Sequence, residues 1–117
     1  MKLNYRYDIK HSKRYKAFYV AMLMKILGTS YFCEVVLTLQ HQPKSFNEIL
    51  RDIKINPSTL NRRIKELTRY NLIEPAVVRV NEENRIKYRL TKKGEGLIKD
   101  IVEFVRLAER LEKAIMD

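Results

Sequence analysis

The chain has 117 residues, 45% of them apolar and 32% charged, with 3 Gly and 3 Pro, a length and composition that exclude a disordered chain and leave room for one domain rather than two. With 24 Lys and Arg against 14 Asp and Glu the net charge is +10 at pH 7, which points to a polyanionic partner. One Cys excludes an internal disulfide, and beside 2 His it leaves no ligand set for a structural zinc.

A basic start (Lys2, Arg6, Lys10, Lys13, Arg14, Lys16) precedes an apolar stretch from Ala17 to Leu27, superficially like a secretory signal. Lys25 interrupts it, no A-x-A-like site follows, and it falls well short of the ~20 residues that span a bilayer. The expectation is a cytoplasmic protein with no membrane partner. The charge is unevenly spread: +6 over residues 1–28, +3 over 57–73 and +1 over 74–90, with 29–56 and 91–117 neutral.

A helix is predicted over 12–27, where Tyr15, Phe18, Tyr19, Met22 and Ile26 recur at helical spacing and Gly28 suits a left-handed cap. Thr29 or Ser30 can cap the next helix, whose Phe32, Val35, Val36 and Leu39 form one apolar stripe. Cys33 lies beside that stripe and reads as a small buried hydrophobe. Ser45-Phe46-Asn47-Glu48 has the spacing of a capping box. Phe46, Ile49, Leu50 and Ile53 follow at i, i+3, i+4 and i+7. Asn56-Pro57 then pairs an N-cap residue with proline at the first helical position, opening a helix over 57–70 that Asn71 can close. Leu60, Ile64 and Leu67 make its inner face. The opposite face carries Ser58, Arg62, Lys65 and Arg69, flanked by Thr59, Asn61 and Glu66.

The period then changes from 3.6 to 2. Ala76, Val78 and Val80 alternate with Val77 and Arg79; Ile86, Tyr88 and Leu90 alternate with Arg85, Lys87 and Arg89. Both runs share one apolar face only if Val80 pairs with Ile86 and Val78 with Tyr88. That register predicts a three-residue loop, Glu82-Glu83-Asn84, with Asn84 left-handed. Thr91 can cap a last helix reaching about Met116. On it Leu97, Ile101, Phe104, Ala108, Leu111 and Ile115 make a coiled-coil-like seam, broadened by Ile98, Val102 and Val105. So wide a stripe on so long a helix points to a partner.

The expected fold is therefore α+β, mostly α, one domain over 1–117. It comprises the N-terminal helix (12–27), a helix-turn-helix (45–71), a hairpin wing (76–90) and a long C-terminal dimerisation helix (91–116). A helix fits the B-DNA major groove, where Arg can take guanine O6 and N7 and Asn can take adenine N6 and N7, while basic side chains on a neighbouring hairpin meet phosphates.

The pattern resembles the HxlR-type regulators within the broader MarR-like winged-helix group. The resemblance is carried by Ile26-Leu27-Gly28, by Ser45 to Leu50, by Asn56 to Leu67, by Asn71-Leu72-Ile73 and by Tyr88 to Gly94. It implies a homodimeric transcription regulator on double-stranded DNA, its terminal helices forming the dimer and its 57–70 helices entering successive major grooves. Carried over by position, Ser58, Thr59, Asn61, Arg62 and Lys65 look like the groove-facing set. Arg63 is either a phosphate contact or a strut between helices, and Arg69 a backbone contact or a solvated side chain. The wing lacks the proline-rich sequence frequent in this family, and its Glu82-Glu83 would be repelled by phosphates. The wing's contact is therefore expected at Arg79, Arg85 and Lys87. The N-terminal cysteine of thiol-sensing relatives is missing. No catalytic set, metal or cofactor is expected, and any effector ligand is unknown. The alternative reading is an architectural, weakly specific DNA binder.

Overall fold

The computed structural model describes residues 24–26 and 28–117. The chain falls into two compact units, Met1–Ser30 and Tyr31–Asp117. In the first, residues 24–26 are helical; Gly28 N–H then donates to Met24 O at 2.9 Å and Thr29 N–H to Ile26 O at 3.0 Å. Gly28 does not take the left-handed conformation expected of it. The Thr29 hydroxyl instead donates to Lys25 O at 2.9 Å, occupying one of the carbonyls left open at a helix end. The rest of the helix expected over 12–27 lies outside the described residues.

The second unit runs α1 (Phe32–Thr38), α2 (Phe46–Ile53), α3 (Pro57–Arg69), β1 (Ile73–Val80), β2 (Glu83–Leu90) and α4 (Lys92–Met116), the mostly helical α+β order of a winged helix-turn-helix. Local chemistry explains most of its boundaries. Ser45 and Glu48 close a reciprocal capping box on α2, Glu48 N–H donating to Ser45 Oγ at 3.2 Å and Ser45 N–H to Glu48 Oε1 at 2.9 Å. Asn56 Oδ1 accepts from Ser58 N–H at 2.8 Å, and Pro57 fills the first position of α3 at no cost in amide bonds. Asn71, at φ 60°, ends α3 in a Schellman motif: Leu72 N–H reaches Leu67 O at 2.9 Å and Asn71 N–H reaches Thr68 O at 3.0 Å. The start of α1 differs from expectation. Its N-cap is Tyr31, at φ 67° and with no side-chain cap, rather than Thr29 or Ser30. Burial of Phe32, Cys33, Val35 and Val36 holds this short helix where a cap does not.

The core gathers Phe32, Val35, Val36 and Leu39 from α1 and its end with Ile49 of α2. Leu60, Ile64 and Leu67 of α3 join them, as do Leu72, Ile73 and Leu90 at the hairpin base and Ile101 of α4. At about 1.5–3 kcal/mol for each fully buried aliphatic side chain, this cluster orients α3. A second clasp joins α3 to α4. The Thr91 hydroxyl donates to Asn71 O at 2.6 Å and accepts from Gly94 N–H at 3.0 Å, while Lys93 Nζ donates to Tyr70 O at 3.0 Å. Gly94 lies so close to this junction that a Cβ there would stand 2.2 Å from Leu72 O.

The hairpin register departs from the one expected. Val77 pairs with Ile86, Val78 with Arg85 and Val80 with Glu83. The turn is two residues, Asn81 and Glu82 at φ 50° and 66°, the left-handed pair of a type I′ turn. Asn84 is an ordinary strand residue. The two strands therefore alternate out of phase: Ala76, Val78 and Val80 share a face with Arg85 and Lys87, while Val77 and Ile86 meet on the other. At the base Ile73 and Leu90 pair and are buried, but near the tip Val77 and Ile86 are 71% and 63% exposed. A two-stranded ribbon with no core at its tip lets turn geometry, not hydrophobic pattern, choose the register. An isolated antiparallel bridge joins Lys44, ahead of α2, to Tyr88 of β2.

Candidate nucleic-acid interface

The two faces of α3 have opposite fates. Leu60, Ile64 and Leu67 are buried, while Ser58, Asn61, Arg62, Lys65 and Arg69 are exposed and Thr59 is half-buried. Ser58 is partly spoken for, its hydroxyl donating to Asn56 Oδ1 at 2.6 Å. Arg62, Lys65 and Arg69 thus form a cationic ridge one helical turn apart, with Asn61 beside it. The helix presents to solvent two guanidinium groups, an ammonium and a side-chain amide, the donor types that pair with phosphate oxygens and base edges.

Arg63 does not belong to that row. It is 6% exposed, and its Nη2 lies 2.8 Å from Glu66 Oε1, one turn along the same helix. A guanidinium so covered and already paired with Glu66 of its own helix cannot take a phosphate as a surface arginine does. Of the two roles open to it from the sequence, burial removes the phosphate contact, while its pair with Glu66 lies within α3 and not between helices.

The three wing cations are not presented together. Arg85 and Lys87 lie on the face turned toward α2, and Arg79 lies on the opposite face. Lys87 is half-buried, its Nζ 3.1 Å from Glu48 Oε1; exposed Arg85 sits 3.2 Å from Glu83; and Arg89 reaches Glu74 at 3.7 Å. The exposed pairs are worth little in water, so Arg85 stays available to a stronger anion. Lys87 is different, because Glu48 is held in place. The Ser45 amide, then the Lys87 ammonium, lowers the Glu48 carboxyl to about 2. A carboxyl whose folded pKa is depressed stabilises the fold above its ordinary value near 4.5 and loses that contribution as pH falls toward about 2. The link between wing and α2 was invisible in the sequence, where Glu48 read only as a cap; its second partner comes from a strand far along the chain.

Of the expected dimer seam, Ile101 is buried in the protomer's own core and Leu97 and Phe104 are half-buried, whereas Ala108, Leu111 and Ile115 are exposed. Ile101 is therefore withdrawn from the interface set. Leu107 and Met116, not in the seam as read, are exposed alongside it. Cys33 is buried, and burial followed by the neighbouring Glu34 pushes its thiol pKa up, the reverse of what a reactive thiol needs. Among the described residues no cluster of three or more His, Cys, Asp or Glu could hold a metal, and no helix is long and apolar enough to cross a membrane.

Comparison with known proteins agrees with this geometry. The HxlR-like helix-turn-helix family matches residues 26–115. The reduced form of the transcriptional regulator YodB from B. subtilis is 27% identical, with a TM-score of 0.66 over 79% of this chain and 90% of that one. The transcriptional repressor BigR from Xylella fastidiosa is also 27% identical, with a TM-score of 0.59 over 81% and 91% of the two chains. A possible HxlR family transcriptional factor from Thermoplasma volcanium GSS1, 24% identical with a TM-score of 0.63 over 78% of this chain and 82% of its own, shares the fold. A search of curated proteins finds no significant match. With residues 26–115 of the 117 matched, a span that takes in the helix-turn-helix, the wing and most of the long terminal helix, the protein belongs to the HxlR-like helix-turn-helix family of DNA-binding transcription regulators.

Proposed function

We propose that the protein regulates transcription as a homodimer that reads double-stranded DNA, with one α3 in each of two successive major grooves. The observation that carries this reading is the division of α3: Arg62, Lys65 and Arg69 are exposed on a helix whose Leu60, Ile64 and Leu67 fasten it to the core. Asn61, Arg62 and Lys65 are the base-reading set, with Ser58 and Thr59 beside them at the helix start; Arg69 and the wing's Arg79 and Arg85 contribute backbone contacts. The exposed rear of α4, with Ala108, Leu111 and Ile115, supplies the dimer contact. Such a chain works in the compartment that holds the DNA, in line with the cytoplasmic location expected from its sequence. Its chemistry is binding, and no enzymatic step is assigned to it.

The test is a comparison of selected and random duplexes at several salt concentrations. Arg62→Ala and Lys65→Ala should each cost about 1–3 kcal/mol where the side chain reads a base, with specificity relaxed at that position. Unchanged affinity in a folded double variant would remove α3 as the reader. Equal wild-type affinity for both duplexes would move the protein to the architectural role.

A further inference from the structure

A cleft of about 330 Å³ opens between α2 and the wing, with three cations and one carboxylate in its walls. Arg51 enters it from the last turn of α2, Arg85 and Lys87 enter from β2, and Asn47 lies on its rim. The one carboxylate in its lining, Glu48, is already engaged by the Ser45 amide and by Lys87. Lys87 is thereby neutralised and serves to set the distance between wing and helix. Arg51 is exposed and has no ion-pair partner among the described residues, and Arg85 has only a solvent-exposed partner in Glu83. Two guanidinium forks from separate elements thus converge on one concavity, with a side-chain amide at its edge. That arrangement matches the tetrahedral oxygens of a phosphate, which guanidinium groups grip two at a time.

We propose that this cleft seats a backbone phosphate of the bound duplex, gripped by Arg51, Arg85 and Asn47. The proposal rests on the DNA-binding reading above and adds α2 to the interface. Position favours a duplex over a free anion: Arg85 belongs to the wing, an element assigned to DNA, and Arg51 stands at the end of α2, just ahead of the turn that leads into α3. A phosphate held there would fix the register of α3 without reading any base.

The test is Arg51→Gln, with Asn47→Ala as a second exposed variant and Arg62→Ala as the reference, each titrated on selected and random duplexes over a salt series. Arg51→Gln should weaken binding roughly five- to tenfold on both duplexes alike and flatten the slope of log affinity against log salt by about one. Asn47→Ala, which removes no charge, should weaken both modestly and leave the slope alone. If Arg62→Ala weakens binding while Arg51→Gln changes neither affinity nor slope, the cleft is not part of the interface and the α3 reading stands. If the wild type binds no duplex, both readings fall. Inorganic phosphate supplies the remaining arm: saturable binding to the DNA-free protein that Arg51→Gln abolishes, with duplex affinity untouched, would assign the cleft to a free anion and overturn the proposal.

Discussion

The two halves of α4 carry one hydrophobic rhythm and meet two different environments. In the front half Ile101 is 6% exposed against the protomer's own core, while in the rear half Ile115, on the same seam, is 77% exposed. A sustained apolar seam says that a helix has a side needing cover, but it does not say whose atoms provide it. The front half is covered by the rest of the protomer and belongs to folding. The rear half outruns that body, and in the proposed homodimer it belongs to association.

Substitution can separate the two halves. The largest effect is expected from Ile101→Asp, which puts a carboxylate into the core and should cost about 4 kcal/mol or more, comparable with the whole stability of a small domain. Chemical denaturation monitored by circular dichroism should find the variant largely unfolded. Leu111→Asp with Ile115→Asp should do the opposite, leaving the protomer folded while raising the dimer dissociation constant about a hundredfold or more. Sedimentation over a concentration series reads this directly, and a double variant that still sediments as a dimer would place the association surface elsewhere. The two glycines at the start of α4 sharpen the contrast on a smaller scale. Gly94→Ala drives a Cβ into Leu72 O, and the clash should outweigh the helix preference of Ala, for a net loss of about 2 kcal/mol. Gly96→Ala meets nothing within 4 Å and should stabilise by about 0.5–1 kcal/mol. Thermal unfolding of the two variants should therefore move in opposite directions.

What was legible in the sequence follows from how far each signal reaches. Ser45 with Glu48, Asn56 with Pro57, Asn71 and Thr91 all act on their own helix ends, within a few residues, and each does what its chemistry implies. The inner stripe of α3 was equally readable, because a helix fixes which of its own residues share a face. The features that escaped depend on what stands opposite. Alternation in β1 and β2 was real, yet the phase between them came from the Asn81-Glu82 turn, with Glu82 in a conformation few glutamates adopt. Arg63 and Arg62 are neighbours in sequence and of one residue type, but 100° of helix separates a buried, ion-paired arginine from an exposed one. Lys87 read as a phosphate contact because Glu48, its partner, is brought beside it only by the fold.

The clasp between Thr91, Lys93 and the end of α3 has a mechanical consequence. It ties the far end of α3 to the near end of α4, so that a shift of one pulls on the other. In the proposed dimer, any pivoting of one copy against the other would then be transmitted straight to the separation of the two reading helices. The spacing of half-sites on an operator would in that way report the angle at which the copies cross.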